Sequence, residues 1–263
     1  MIIENRWPWG KQLSLGIILM IFYIILGFFV YGSQLLTTAI FIFGYSVITA
    51  GLVYWSLGSW KVFQKRVRVT APLKLWTWVL AAAFVIFAFS AQWPAMFAVT
   101  LHSKAILATT LIALGTGIFE ESLFRGTFFS VFMANMQYRS RSYQLTRSAI
   151  YSSIIFGLIH LTNVIGGNLQ AVLQQVVYAM AFGLFLCVIR VMTNTLPWVI
   201  IIHAVADWAP ATATGSGPTQ VSSWWLIVGV FGVLMVVNLV YLVKVDRQLE
   251  QSANSGMPNE QGG

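Results

Sequence analysis

The chain has 263 residues, of which 58% are hydrophobic and only 8% are charged. A water-soluble domain carries about a quarter charged residues, so this composition excludes an ordinary soluble fold. The net charge of +8 comes from basic residues in short segments between apolar runs, which indicates membrane topology and contact with anionic lipid headgroups rather than nucleic acid. The single cysteine, Cys187, excludes an intrachain disulfide, and its apolar surroundings predict a small core residue.

Apolar runs of about 20 residues predict an all-α, polytopic membrane protein with about eight transmembrane helices. We expect residues 1–247 to form a single transmembrane helical domain and residues 248–263 to form a polar, disordered C-terminal tail. The first apolar run is too long for a signal-peptide h-region, so we interpret it as an uncleaved span. The predicted spans are 13–31, 35–57, 76–99, 105–135, 148–163, 169–191, 195–209 and 223–243.

The distribution of basic residues predicts the orientation of these spans. With eight spans and an internal N-terminus, 13 of the 15 basic residues fall in inner segments, whereas the outer loops hold only Lys104. The positive-inside rule then places both termini in the cytoplasm. Asp246 falls with the charged C-terminal segment, where a carboxylate needs no special explanation. The inner group comprises Arg6, Lys11, Lys61, Lys65, Arg66, Arg68, Lys74, Arg139, Arg141, Arg147, Arg190, Lys244 and Arg247.

The stretch GIFEESLFRG at 117–126 puts three charged residues into an apolar span. Each charge near the middle of a bilayer costs at least ~2.5–3.5 kcal/mol, so these residues need partners. Glu121 and Arg125 are four residues apart and can pair on one helix face. Glu120 points about 100° away from that pair, which leaves it freer to exchange a proton as a general base or acid. The alternative is an ion-pair cluster that only fixes helix packing, which gains little stability.

Two later spans carry further polar side chains. Phe156 and His160 share a face of the fifth span, and Asn163 lies one turn beyond. His203 and Asp207 are four residues apart on the seventh span, where they could simply form a mutual hydrogen bond.

Depth in the bilayer allows these groups to meet. Glu120 lies 16 residues from Lys104, which is roughly 24 Å of helix from the outer side. His160 and His203 each lie 13 residues from an inner basic residue, or roughly 20 Å of helix. In a ~30 Å hydrocarbon core the three side chains can therefore share one layer.

Several familiar catalytic motifs are absent from the sequence. It has no H-E-x-x-H zinc helix, no G-x-S-x-G nucleophile elbow and no Walker loop. What remains is a set of carboxylates, imidazoles, one guanidinium and one amide. Such groups can activate a water molecule directly, or they can hold a divalent metal ion that does so.

Three motifs in order resemble one known family: Glu120-Glu121-x-x-x-Arg125, Phe156-x-x-x-His160 and His203-x-x-x-Asp207. The set, with its contexts EESLFRG, FGLIHLTN and LPWVIIIHAVAD, is similar to the CPBP family of CAAX proteases and bacteriocin-processing enzymes. These are also called Abi proteins, and they include the Ras-converting endopeptidase. The resemblance covers about residues 105–209. Any one motif is weak, whereas three with this order and spacing are specific.

The resemblance implies an intramembrane endopeptidase of the metallo or glutamate type in a bacterial plasma membrane. Its substrate would be a membrane-associated peptide or a lipid-modified protein. The implied roles are distributed over the three motifs. Glu120 would activate water with help from His160, Glu121 and Arg125 would position the site, His203 and Asp207 would stabilise the oxyanion or bind metal, and Phe156 and Asn163 would contact the substrate or support the site.

The resemblance leaves the cofactor open, because family members are described both as metal-dependent and as metal-free glutamate enzymes. A Zn²⁺ or another divalent ion would be held by Glu120, His160, His203 and Asp207. Other members carry asparagine at the position of Asp207. An ionised aspartate only accepts hydrogen bonds, so it suits the orientation of a protonated or metal-bound His203, which favours a metal.

Two other functions are consistent with buried polar groups in a membrane bundle. One is a non-catalytic role in membrane binding, as a bacteriocin self-immunity factor or a scaffold. The other is ion-coupled transport, since buried glutamate, histidine and arginine also form relays. Against transport, the sequence has no apparent inverted repeat and no paired broken helices.

Overall fold

The computed structural model describes residues 6–30, 32–139, 141–210 and 218–254. Within this part of the chain, seven helical segments are long and apolar enough to cross a membrane. This confirms the all-α class, and seven such segments, one fewer than the eight spans predicted, indicate a multi-pass membrane protein. The seven segments are Trp9–Val30, Leu35–Leu57, Ala71–Ser90, Ile106–Tyr138, Gln144–Ile165, Leu169–Thr193 and Trp224–Ala253.

The helices are labelled in chain order, and two segments of different helix type are named separately. A π-helix covers Ser122–Phe128 and a 3₁₀ helix covers His160–Ile165. The α-helices are α1 (Trp9–Val30), α2 (Leu35–Leu57), α3 (Ala71–Ser90), α4 (Trp93–Leu101), α5 (Ile106–Glu121), α6 (Phe129–Tyr138), α7 (Gln144–Ile159), α8 (Leu169–Thr193), α9 (Pro197–Ala206) and α10 (Trp224–Asn254).

The predicted seventh span, 195–209, is a short helix. α9 has ten residues, which make about 15 Å of helix, or half of the hydrocarbon thickness. Further along the chain, the carbonyl of Pro218 accepts a hydrogen bond of 2.9 Å from the amide of Asn168. Asn168 caps the N-terminal end of α8. α9 begins near the C-terminal end of α8, so by Pro218 the chain has returned to the other end of that helix.

The predicted third span, 76–99, is divided into α3 and α4. The break falls at Ala91 and Gln92, and Gln92 has a left-handed backbone with φ 58°. Pro94 follows in the first turn of α4, where its missing N–H removes no helical hydrogen bond.

The predicted tail, 248–263, is helical in its first part. α10 continues to Asn254, and Gln248 donates a hydrogen bond of 2.8 Å to the carbonyl of Arg68. The carboxylate of Glu250 accepts a hydrogen bond from the amide of Tyr143. Residues 248–254 therefore belong to the packed bundle, and residues 255–263 lie outside the described part of the chain.

Four segments meet at one end of the bundle, which is called here the basic end. They are the loop after α2, the start of α7, the α8–α9 turn and the end of α10, and hydrogen bonds join them. Asn194 in the turn bonds to Val62 and Phe63 in the loop. Asp246 accepts from the amides of Leu145 and Thr146 at 3.0 and 2.8 Å, and so caps α7 from a neighbouring helix. Asp246 is thus buried and structural, which its position near the C-terminus did not predict.

Arg190 also differs from its sequence interpretation. The distribution of basic residues predicts that it lies in an inner segment, but it lies within α8 and is fully buried. Its guanidinium lies 6.0 Å from the centroid of the Phe129 ring. The residue is near the basic end of the bundle without being part of its surface.

Helix α5 positions the functional residues because it packs between α2 and α9. Its contact with α9 is close at Gly117. A Cβ added there would lie 3.0 Å from the carbonyl oxygen of Ile200 and 3.0 Å from the amide nitrogen of Ala204. A small residue at this point lets the two helix backbones approach, and it brings the end of α5 beside the last turn of α9.

Candidate active site

The predicted pair of Glu121 and Arg125 is present where α5 passes into the π-helix. Arg125 Nη1 donates to Glu121 Oε1 at 2.6 Å, and both side chains are completely buried. The π-helix widens the turn at this point, as π-segments often do beside functional sites. The guanidinium carbon of Arg125 lies 4.0 Å from the centroid of the Phe156 ring.

The burial of Arg125 depends on a small residue on α8. A Cβ added to Gly183 would lie 2.8 Å from Arg125 Nη2. Arg125 Nε and Nη2 have no hydrogen-bond partner in the described part of the chain, so the stacking on Phe156 and the pair with Glu121 hold the cation. A desolvated cation–π contact contributes about 2 kcal/mol, and removal of one member of a buried ion pair costs about 3–5 kcal/mol.

His203 connects three carboxylates through its two ring nitrogens. Its Nδ1 lies 2.5 Å from Glu121 Oε1, and because a carboxylate only accepts, Nδ1 carries the hydrogen. Its Nε2 faces the other side, 3.3 Å from Asp207 Oδ2 and 3.5 Å from Glu120 Oε2. The His203–Asp207 contact predicted from the sequence is therefore present, and the contacts to the two glutamates add to it.

The solvent-exposed fraction of these side chains rises from the Glu121–Arg125 pair to Asp207. Glu121 and Arg125 are 0% exposed, His203 is 4% exposed, Glu120 is 18% exposed and Asp207 is 23% exposed. The Glu121–Arg125 pair thus forms an interior support, whereas Glu120 and Asp207 lie on the open side. His203 spans the two sides.

His160 joins the group through Phe156. His160 lies at the start of the 3₁₀ helix, and its Nδ1 donates to the carbonyl oxygen of Phe156 at 2.7 Å. A carbonyl can only accept, so the Nε2 of neutral His160 carries the free lone pair. The Phe156 ring lies edge-on to both imidazoles, with centroid distances of 5.0 Å to His160 and 5.7 Å to His203. Within the described residues no hydrogen bond joins His160 to Glu120.

Asn163 is directed toward α8. Its side-chain amide donates to Gln175 Oε1 at 2.8 Å. The bond ties the 3₁₀ helix to α8 and holds the segment that begins with His160. A direct role of Asn163 toward a substrate stays a prediction.

The residues predicted to bind metal do not form a metal-binding group in this arrangement. Within the described part of the chain, no three His, Cys, Asp or Glu side chains are placed to hold one ion. The Nδ1 of His203 already donates to Glu121, and its Nε2 faces two carboxylates at 3.3 and 3.5 Å. A bound metal ion stays a prediction that experiment can test.

Three positioning residues were missed by sequence reasoning. Gly117 and Gly183 permit the close contacts described above, and Phe182 lies edge-on to His203 with a centroid distance of 5.7 Å. Glycines within long apolar helices are a usable signal, since small residues mark close contacts between membrane helices. The aromatic contact has no such signal, because phenylalanine is frequent throughout this chain.

Residues 102–209 match the family described as Rce1-like, type II CAAX prenyl endopeptidase Rce1-like. The matched segment includes α5 to α9 and every side chain described in this section. Comparison with the curated proteins and with the solved structures gives no match.

Proposed function

We propose that the protein, whose residues 102–209 match the Rce1-like family of type II CAAX prenyl endopeptidases, is an intramembrane endopeptidase. It would hydrolyse a peptide bond of a membrane-associated peptide or lipid-modified protein. The family implies prenylated proteins or peptides as substrates, so a prenylated C-terminal peptide is the first substrate class to test. The observation that carries the proposal is His203, held by Glu121 on one side and directed at Glu120 and Asp207 on the other.

Glu120 is the proposed base because it is the glutamate that the arginine does not hold. Glu120 takes a proton from water while the water oxygen attacks the carbonyl carbon of the scissile bond. The carbonyl π electrons move to oxygen, and the N–H of His203 Nε2 stabilises that negative charge. When the C–N bond breaks, the protonated Glu120 returns its proton to the leaving amine.

The remaining residues hold these two groups in place. Arg125 fixes Glu121, which accepts from His203 Nδ1 and so sets the direction of the ring. Asp207 accepts on the open side and favours the protonated ring during the attack. His160 is directed by its bond to the Phe156 carbonyl, and its free Nε2 would assist as a second base on the water.

Orientation in the membrane is part of the proposal. The basic end would face the cytoplasm of a bacterial plasma membrane, with both termini on that side. Fusions of each terminus to a reporter that works only outside the cytoplasm test this. An active fusion would show that the terminus lies outside and would contradict the proposed orientation.

The test uses the full chain in lipid nanodiscs and a fluorescent peptide with a farnesylated CAAX-type C-terminus. Glu120→Gln and His160→Ala should lower kcat, the first by about 10²–10⁴-fold as expected for loss of a general base. Glu250→Gln is the matched control, because it removes a carboxylate that caps α7 far along the chain from the site. Cleavage by both site variants at the wild-type rate would refute the assignment.

Two further arms of the same assay test the need for the lipid and for a metal, and a separate cell-protection assay tests the non-catalytic alternative. An unprenylated peptide cleaved as well as the farnesylated one would retain the peptidase and remove the lipid requirement. Loss of activity with a chelator, restored by added Zn²⁺, would support the predicted metal. Retention of a cell-protection phenotype by Glu120→Gln would favour the alternative of a non-catalytic binding role.

A further inference from the structure

The basic end of the bundle contains a cavity that the proposed chemistry does not use. It has a volume of about 410 Å³, which falls within the range of small-molecule sites. The loop after α2 supplies one wall and the α8–α9 turn supplies the other. The lining residues are Lys61, Gln64, Arg66, Thr193, Asn194 and Thr195.

One buried side chain holds these two walls together. Asn194 has a left-handed backbone with φ 53°, and its Oδ1 accepts from the amides of Val62 and Phe63 at 2.9 Å each. Its Nδ2 donates to the carbonyl of Phe63 at 2.9 Å. Three hydrogen bonds from one residue thus fix the loop against the turn across more than 130 positions of sequence. The cavity is built by the fold and is not a gap between mobile segments.

The charge of the cavity is uncompensated by the described protein. The side chains of Lys61 and Arg66 have no hydrogen-bond or ion-pair partner among the described residues, and no acidic side chain lines the cavity. A third cation, Arg6, contacts the loop that lines the cavity. Its guanidinium donates to the carbonyl of Lys61 and, at 2.8 Å, to Ser130 Oγ. Burial lowers the pKa of Arg6 to about 10, so it remains charged at neutral pH.

The acidic residues of the described chain are all engaged elsewhere. Three of them form the candidate active site, and two cap or contact the start of α7: Glu120, Glu121, Asp207, Asp246 and Glu250. An external anion is therefore the ligand that matches the cavity. Lysine and arginine together with side-chain hydroxyl and amide groups are the usual partners of a phosphate oxygen.

We propose that the cavity binds a phosphate group, carried by an anionic lipid headgroup at the membrane boundary or by a free phosphate ion. A phosphate held between Lys61 and Arg66 would add a link between the loop and the turn. The turn leads directly into α9 at Pro197, and α9 carries His203. Occupancy would therefore stabilise the start of the helix that holds the proposed oxyanion donor, while the binding itself does not depend on proteolysis.

The experiment compares two double variants of the full chain in phosphatidylcholine nanodiscs. Lys61→Gln with Arg66→Gln removes the cavity charges, and Lys11→Gln with Lys74→Gln removes two exposed cations outside it. The probes are phosphatidylglycerol, followed as retained lipid by native mass spectrometry, and inorganic phosphate, followed by the thermal midpoint. The cavity variant should bind at least about 10-fold more weakly than wild type, and the control should stay within about 3-fold.

Each outcome decides the proposal. Selective loss of phosphatidylglycerol binding in the cavity variant supports it with a lipid source, and selective loss of stabilisation by inorganic phosphate supports it with a free-ion source. Equal loss in both double variants would overturn it, because diffuse surface charge would then explain the binding. Absence of binding by either probe to the wild-type protein would overturn it as well. Both variants change exposed side chains without described partners, so folding should be retained, and the thermal midpoint without probe checks this.

Discussion

Gly117→Ala should slow catalysis although it touches no functional side chain. Gly117 lies where α5 and α9 approach, and its new Cβ would meet backbone atoms, the carbonyl oxygen of Ile200 and the amide nitrogen of Ala204, at 3.0 Å each. Backbone atoms cannot rotate away as the end of a side chain can. The contact is relieved only if α9 moves from α5 by a few tenths of an ångström.

The size of the effect follows from what that movement separates. Glu120 and Glu121 end α5, and His203 lies in the last turn of α9, so the displacement acts directly on the contacts at 2.5 and 3.5 Å. A misplacement of about 1 Å can cost about 10²-fold in rate, so a shift of about 0.3 Å corresponds to roughly fourfold. Gly117→Val, with two further carbons to accommodate, should cost about 10²-fold or more.

The assay measures kcat and KM on the farnesylated peptide together with the thermal midpoint. Gly51→Ala is the matched control, because Gly51 lies within α2 and its added Cβ would meet nothing within 4 Å. Both alanines gain about 1 kcal/mol of helix propensity, so propensity cannot explain a difference in rate. If Gly117→Ala keeps the kcat of Gly51→Ala, the close approach of α5 and α9 does not set the geometry of the site.

Three other substitutions separate catalytic support from stability. Arg125→Lys loses the planar stack on Phe156 and should lower kcat more than 10-fold with a reduced thermal midpoint, measured on the same peptide. Gly183→Ala, whose Cβ would lie 2.8 Å from Arg125 Nη2, should act in the same direction but less strongly, and an unchanged kcat would contradict it. Asp246→Ala removes the acceptors at the start of α7 and should cost about 1–3 kcal/mol in denaturant unfolding while kcat stays near wild type.

Local geometry explains which parts of the site could be predicted from the sequence. The pairs Glu121–Arg125 and His203–Asp207 are each four residues apart, and contacts at 2.6 and 3.3 Å follow from helix periodicity with little influence from the rest of the fold. The contact of His203 with Glu121 joins residues 82 positions apart. It depends on how α5 and α9 pack, which no local spacing encodes.

Chain position was a poor guide to two of the charged residues. Asp246 lies near the C-terminus in sequence, yet it caps α7 because α10 continues past the membrane span and packs against that helix. Arg190 follows an apolar run, yet it remains within α8 and is fully buried. In both cases the hydrophobic pattern located the helix, whereas its neighbours in the bundle decided the environment of the charge.

The shortness of α9 has a chemical consequence that a full span would not provide. A helix that crossed the whole bilayer would carry His203 in its interior, where all backbone groups are paired. α9 instead ends at Ala206, and its carbonyl groups near the end direct partial negative charge toward the last turn. That turn holds His203, and Asp207 follows directly. The helix end, Asp207 and Glu121 therefore all place negative potential near the imidazole, which would favour a positive charge on the ring in the proposed mechanism. Glu120 and Asp207 beside this helix end are 18% and 23% exposed, so in the proposed mechanism a substrate carbonyl would reach them from this side.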